Sequence, residues 1–466
     1  MMAGQGERYF FCGIGGSGMM PLALYLSGKG AFVCGSDRSY DQGATPEKFQ
    51  FLKDAGIQLF SQDGRGVTAQ SGTLVVSSAV EESIPDVRAA LSLGLPIVKR
   101  GALLAEVFHR VRERVAVAGT SGKSTTTGMI ATMLLSCGLD PAFINGGQIR
   151  IEGEAGSKAV RVGAGAVIVS EMDESDGSIA HYNPTVSVLN NIALDHKGMD
   201  ELEVLFGDFL ARASRAVVAN FDDQRVVSLV ERRTDCDVLG FGFENADAVL
   251  TAEDFVMRPD GCSFTAVLRD REERCPVQLF VPGRHNIANA LASIGAGLSL
   301  GLALEDCAKG LEAFRGIHRR MELVGTKAGV TVLDDFGHNP DKIAASLRTL
   351  KDFDGRLIVM FQPHGFGPLR LMGREIMEVF AAYLGPEDYL LMPEAYYAGG
   401  TVDRSVTAKD LIEAAQGKIA HAHWFETRAE IPAFIQRQAK AGDRVVVMGA
   451  RDDTLHVFAR QLLDLF

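Results

Sequence analysis

No stretch of this chain is apolar over the ~20 residues that a bilayer-spanning helix needs. A basic excess is missing too: 47 Lys and Arg face 59 Asp and Glu, a formal net charge of −12. Binding nucleic acid requires a basic face to neutralise phosphates, so nucleic acid is not an expected partner. Anionic ligands must then be held by local devices: glycine loops, helix N-termini and single cations. Cysteine is sparse, with seven residues at positions 12, 34, 137, 236, 262, 275 and 307 and no CxxC pair. Thiols in apolar runs such as Phe10-Phe11-Cys12 read as reduced core residues, which excludes a disulfide framework. The opening residues, Met1 to Glu7, have no basic patch leading into an apolar stretch, so no signal peptide is expected. These absences together point to the cytoplasm, with no membrane partner.

What is present is a chain of 466 residues, 47% hydrophobic and 23% charged, too long for one ordinary core. Short apolar runs alternate with helix-like stretches, the pattern of parallel sheets covered by helices. Arg8 to Cys12, Ala31 to Cys34, Leu74 to Ser77 and Pro96 to Val98 read as strands of a first unit, residues 1–112. A second unit, 113–315, carries strands at Val115 to Ala118, Ala166 to Ser170 and Val186 to Leu189. It continues with antiparallel-like alternation from Asp247 to Phe280 and a helix from Pro282 to Leu300. A third, 316–466, carries strands at Val330 to Leu333, Leu357 to Phe361 and Val445 to Met448.

Two glycine loops carry chemistry. Gly13-Ile14-Gly15-Gly16-Ser17-Gly18 fits GxGxxG between a strand and a helix, with Asp37 closing the next strand. Such glycines let backbone approach a pyrophosphate that the helix N-terminus stabilises. Alternatively they only allow tight strand–helix packing. The loop fits a diphosphate but does not say whether it belongs to a nicotinamide dinucleotide or to a UDP-sugar.

Gly119-Thr120-Ser121-Gly122-Lys123-Ser124-Thr125 also joins a strand to a helix, here predicted to begin at Thr125. Val117 stands where the general GxxxxGK[ST] loop has glycine. The working parts are still there: backbone N–H groups for phosphate oxygens, Lys123 for the β- and γ-phosphates, and the Ser124 hydroxyl for a Mg²⁺ shell. Two phosphate loops in successive units suit an enzyme that holds two phosphorylated ligands better than they suit a dehydrogenase.

The acidic run Glu171-Met172-Asp173-Glu174-Ser175-Asp176 follows a strand, where a carboxylate can bind Mg²⁺. Glu171 is the candidate ligand, and the other acids read as cap or surface residues. His196, in Asn190-Asn191-Ile192-Ala193-Leu194-Asp195-His196, could be a metal ligand or a structural histidine. A carboxylate must be activated before an amine can displace its oxygen. ATP does this by forming an acyl phosphate, and the protein positions the reactants and neutralises charge.

With Pro282 to Ala290, Arg319-Arg320, Asp334 to Pro340 and Phe361-Gln362-Pro363-His364, these motifs resemble the Mur ligase family over nearly the whole chain. The resemblance implies a three-domain α/β fold: a Rossmann-like N-terminal domain binding a UDP-sugar, a P-loop ATPase-like central domain, and a Rossmann-like C-terminal domain binding the amino substrate. It implies an ATP-dependent ligase of peptidoglycan precursor synthesis that joins L-alanine or a related amino acid to UDP-N-acetylmuramate, with ATP and Mg²⁺ as cofactors. Gly15, Gly16, Ser17, Gly18, Asp37 and Ser78 would bind the UDP-sugar. Gly119, Thr120, Ser121, Gly122, Lys123, Ser124 and Thr125 would hold ATP phosphates, with Ser124, Glu171 and His196 on metal. His285, Asn286 and Asn289 would contact adenine, Arg319 the γ-phosphate, Asp335 the ribose, and His338 would lie near the amine. Closure of the C-terminal domain would exclude water. Lys197, next to His196, is too close to it to serve as the carbamylated lysine of some members. Ser121, Asn339, Gly365-Phe366-Gly367 and Gly449-Ala450-Arg451-Asp452-Asp453 depart from the alanine-adding branch, and the segment from His196 to Phe206 is shorter. Most of these departures fall where the amino substrate should bind. That keeps open a murein tripeptide-recycling ligase or another carboxylate and amine pair. A nicotinamide-dependent oxidoreductase and a non-catalytic nucleotide-binding paralogue stay open as well. A monomer or homodimer is expected.

Overall fold

The computed structural model describes residues 6–77, 82–153, 157–174, 177–193, 198–231, 235–396, 403–450, 452 and 454–466. It has a mixed α/β architecture built on three sheets. The first sheet is parallel, in the order Gln58–Phe60, Phe32–Ser36, Arg8–Cys12, Thr73–Val76, Ile97–Lys99. The chain reverses its winding at the central strand Arg8–Cys12, so a crevice opens at that strand's carboxyl end, beside Gly13–Gly18.

In the second sheet, Glu113–Ala118 lies between Val167–Glu171 and Val186–Leu189, all three parallel. Val115 to Ala118 are fully buried, which requires apolar residues on both faces of the strand. Because these strands are parallel neighbours, the loops after them emerge side by side. That juxtaposition makes the site. The sheet continues through Ala216–Asn220, Asp237–Phe241 and Leu250–Arg258 to an antiparallel pair, Gly261–Leu268 with Glu273–Leu279. The expected antiparallel stretch is thus real for its last two strands, while Leu250 joins its neighbour Phe241 in parallel. Helix Arg284–Ser299 packs on helix Lys123–Ser136.

The first two sheets belong to one compact unit with a shared core that runs from Phe11 and Leu22 to Phe206 and Val217. Phe108 meets Tyr182 edge-on at 5.3 Å and helps join them. The other unit, mainly His318–Phe466, holds the third sheet. Its order is Glu322–Lys327, Val330–Asp335, Arg444–Gly449, Leu357–Gln362, Tyr389–Pro393, His421–Phe425, parallel apart from the first strand. Among the described residues no helix is long and apolar enough to cross a membrane.

Candidate functional site

The N-terminal glycine loop is pinned from behind. The N–H groups of Gly13 and Ile14 both donate to the Ser36 carbonyl at 2.9 Å. Asp37, expected to meet the sugar nucleotide, turns both carboxylate oxygens to backbone: Oδ2 accepts from Gly15 N and Oδ1 from Ser39 N, each at 2.8 Å. It shapes the loop and caps the short helix Arg38–Asp41. Gly16 and Ser17 are exposed. With Gly18 and Arg100 they form one wall of a cleft of about 300 Å³, and Asn145, Gly146 and Glu171 form another. Ser78 lies outside the described residues.

Glu171 on the second wall of that cleft leads to the second loop, whose Ser124 bonds it. The helix starts at Lys123, two residues earlier than the sequence suggests, so Lys123 and Ser124 belong to its first turn. Gly122 makes this possible. It adopts φ +82, and a Cβ there would meet Asn289 Oδ1 at 2.6 Å. The loop is strapped to the segment after the neighbouring strand. Asn191 Oδ1 accepts from Ser121 N at 2.8 Å and its Nδ2 donates to Ser121 O at 3.1 Å. Thr120 Oγ1 donates to Ala193 O and accepts from Ala193 N. Asn190 Nδ2 donates to Thr126 Oγ1 at 2.9 Å. Asn190 and Asn191 thus fix the loop's shape, a role not read from sequence.

Ser124 Oγ donates to Glu171 Oε2 at 2.6 Å. A Cβ on Gly146 would lie 1.9 Å from Glu171 Oε1, so the glycine is what admits the carboxylate. A hydroxyl and a carboxylate at hydrogen-bond distance are hard oxygen donors of the kind Mg²⁺ prefers, and they fit such an ion. His196 lies outside the described residues. Lys123 Nζ reaches 2.9 Å from Glu174, which is buried, not the surface acid expected from composition. Burial raises the Glu174 pKa, and Lys123 opposes the rise.

On the helix Arg284–Ser299, His285 is exposed while Asn286 and Asn289 are buried. Asn289 Oδ1 accepts from Thr126 and its Nδ2 donates to Asn286 Oδ1, both at 3.2 Å. These amides lie beneath the loop and support it; of the three expected adenine contacts, His285 alone presents an open surface.

In the C-terminal unit Arg319 is the residue expected at the γ-phosphate. Arg319 is turned inward and buried. Its Nε donates to Asp334 Oδ1 at 3.3 Å, one terminal nitrogen to Asp452 O at 3.2 Å and the other to Gly449 O at 2.8 Å. The guanidinium is thus engaged by protein groups on all three nitrogens, while its neighbour Arg320 is exposed. Burial pushes the Asp334 carboxyl up to about 6 despite Arg319. Asp335 Oδ2 likewise accepts from Gly337 N and Ser346 Oγ, and Oδ1 from Met321 N. Asn339, a departure from the family pattern, caps the helix Pro340–Lys351 by accepting from Lys342 N.

His338 Nδ1 lies 2.8 Å from the Phe336 carbonyl, which can only accept, so Nδ1 carries the proton. Its ring meets His364 edge-on. Burial pushes its pKa down to about 4. The ring is neutral at pH 7 and too weak a base to take a proton from an ammonium. The unfolded chain, with an ordinary histidine value, binds the proton first as pH falls. His338 therefore contributes full stability above about 6.5 and loses it between there and 4. Denaturant titrations of the protein and of His338→Asn should show the wild type falling relative to the variant by about 2 kcal/mol from pH 7.5 to 5. Parallel curves would refute the neutral buried ring.

Comparison with known proteins agrees along the chain. The family model described as Mur ligase family, catalytic domain, matches residues 8–112; the Mur ligase middle domain matches 117–297; the Mur ligase, glutamate ligase domain matches 319–451. A UDP-N-acetylmuramate--L-alanine ligase from Acidithiobacillus ferrooxidans is 35% identical over 452 residues, covering 94% of each chain. One from Nitratidesulfovibrio vulgaris is 37% identical over 450 residues, again 94% of each. Among solved structures, a UDP-N-acetylmuramate-alanine ligase from Thermotoga maritima superposes with TM-score 0.80 at 25% identity, covering 98% of both chains. A murein peptide ligase from Psychrobacter arcticus gives 0.72 at 25% identity, covering 99% of this chain and 98% of that one. Three family domains in order, and relatives above 30% identity over nearly the full length, place the chain plainly: it belongs to the Mur ligase family.

Proposed function

We propose that this chain joins L-alanine, or a related amino acid, to UDP-N-acetylmuramate with ATP, as a cytoplasmic step of peptidoglycan precursor synthesis. The observation that carries this reading is a cleft with Gly16 to Gly18 of the first loop on one wall and, on another, Glu171, whose carboxylate bonds Ser124 of the second loop beside Lys123. A sugar nucleotide anchored by its diphosphate at the first loop would extend its carboxylate toward the second. The relatives' names supply the substrates, and the full-length match supports carrying them here.

In this reading the carboxylate oxygen attacks the γ-phosphorus and ADP leaves, giving an acyl phosphate. The amine then attacks the acyl carbon and phosphate leaves. Lys123 and the loop amides from Gly119 to Thr125 hold the nucleotide's phosphates. Ser124 and Glu171 hold Mg²⁺, which when bound would offset the phosphate charge; His196 is proposed for a second ion. The exposed His285 is proposed for the adenine. From the C-terminal unit, Arg320 replaces Arg319 as the phosphate-facing cation, and His338 orients the amine without acting as its base. Residues 1–112, 113–315 and 316–466 are proposed as the sugar-nucleotide, ATP and amino-substrate domains.

A second reading has one specific support. The segment around Asn339 and Gly365, where the amino substrate is expected, departs from the alanine-adding pattern, and the murein peptide ligase fold is similar throughout. A phosphate-release assay with UDP-N-acetylmuramate and a panel of alanine, glycine, serine and the L-alanyl-γ-D-glutamyl-diaminopimelate tripeptide separates the two. Alanine should give the highest kcat/KM. Turnover with the tripeptide alone would transfer the chain to the second reading. No release with any amine, despite intact ATP binding, would end both.

A further inference from the structure

Lys123 is engaged by groups of the protein itself. Its ammonium lies 2.9 Å from both carboxylate oxygens of Glu174 and donates to the Gly119 carbonyl at 2.6 Å. The side chain of Glu174 is 4% exposed and that of Lys123 19%. One carboxylate oxygen, Oε2, has the ammonium beside it but no hydrogen bond of proper geometry. A buried carboxylate is costly without a cation, so the pair is firmly held. The arrangement also has a direction. Glu171 and Glu174 lie on one short segment after strand Val167–Glu171, and they face successive residues of the loop helix: Glu171 takes Ser124 and Glu174 takes Lys123. Phosphates that recruit Lys123 must pull its ammonium from Glu174 and from the loop's own carbonyl.

We infer that Glu174 is a positioning residue that holds Lys123 over the loop and competes with the nucleotide's terminal phosphates for it. The inference rests on the reading of residues 119–125 as the ATP site. It gives the loop a charge threshold. A ligand must bring enough negative charge to Lys123 to displace one carboxylate, which a triphosphate does and a monophosphate does not. A purely structural glutamate would behave in the opposite way, since removing it would loosen the loop and weaken the nucleotide.

The test is calorimetric titration of the full chain with Mg²⁺ and a non-hydrolysable ATP analogue, with AMP as control. Glu174→Gln keeps the side chain's size and removes its charge; Glu174→Asp draws the carboxylate back by one methylene. The analogue should bind the Gln variant roughly fivefold more tightly than wild type, the scale of a partly buried ion pair, with the Asp variant between. AMP affinity and the KM for the sugar nucleotide should stay unchanged. Equal or weaker analogue binding by whichever variant melts cooperatively overturns the inference while leaving the ATP site intact. If wild type binds no analogue at all, the underlying reading fails and takes this inference with it.

Discussion

Replacing Lys123 with alanine should abolish phosphate release by roughly 10³-fold or more, because the chemistry depends on charge neutralisation at the transferring phosphoryl group. The protein does little covalent work in such a transfer. Lys123 is the cation of the loop, on the first turn of a helix whose N-terminus also favours negative charge. Its removal has a second consequence. Glu174 stays buried without its partner, and burial already raises its pKa, so losing the ammonium that opposes the rise should push it further up. Lys123→Ala should therefore cost stability, increasingly so as pH rises and Glu174 must ionise unpaired. The double variant Lys123→Ala with Glu174→Gln should recover that stability and none of the activity. Unfolding curves and the phosphate assay, run on the single and double variants, separate the two effects. Activity within tenfold of wild type in Lys123→Ala would remove the basis for placing ATP at this loop.

The strands were legible because a strand buried on both faces must be an apolar run, and Val115 to Ala118 and Leu357 to Phe361 are such runs. The loops after them were legible because Gly13, Gly119 and Gly122 adopt positive φ that other residues resist. Harder to read was anything that depends on which of two similar neighbours faces inward. Glu171 and Glu174 differ little as letters, yet both are committed, one to a hydroxyl and one to an ammonium. Asn289 looks like any amide on an alanine-rich helix, and only the packing of that helix under Gly122 shows what it supports. Asn339 could have been read as a cap, since asparagine before proline at a helix start is the expected chemistry. Its departure from the family pattern points instead to the amino substrate. Asp37 and Asp335 likewise accept from backbone N–H groups, a structural duty that a carboxylate at a strand end does not announce.

Arg319 and Arg320 offer the sharpest separation between support and contact, and their alanine variants should fail in opposite ways. Arg319 sits at φ +58, a left-handed conformation that costs a side-chain-bearing residue about 1 kcal/mol. That conformation turns its guanidinium beneath the strand ends, onto Asp334 and the carbonyls of Gly449 and Asp452. It also stacks over Phe336, 5.2 Å from the ring centre. Arg319→Ala strips a buried carboxylate of its cation and leaves those carbonyls with fewer donors, which should destabilise the C-terminal unit by about 3–5 kcal/mol. Arg320 is exposed, so Arg320→Ala should change stability by no more than about 0.5 kcal/mol. If Arg320 meets the terminal phosphate, its loss should lower kcat by roughly 10²-fold or more at unchanged folding. Arg319→Lys should rescue little of the Arg319 defect, because an ammonium cannot span one carboxylate and two carbonyls that a planar fork reaches together. Urea titration and phosphate release on the same preparations decide the matter. An Arg319→Ala protein that folds like wild type but does not turn over, beside an active Arg320→Ala, would return the phosphate-facing role to Arg319 and require the buried guanidinium to swing outward during the reaction.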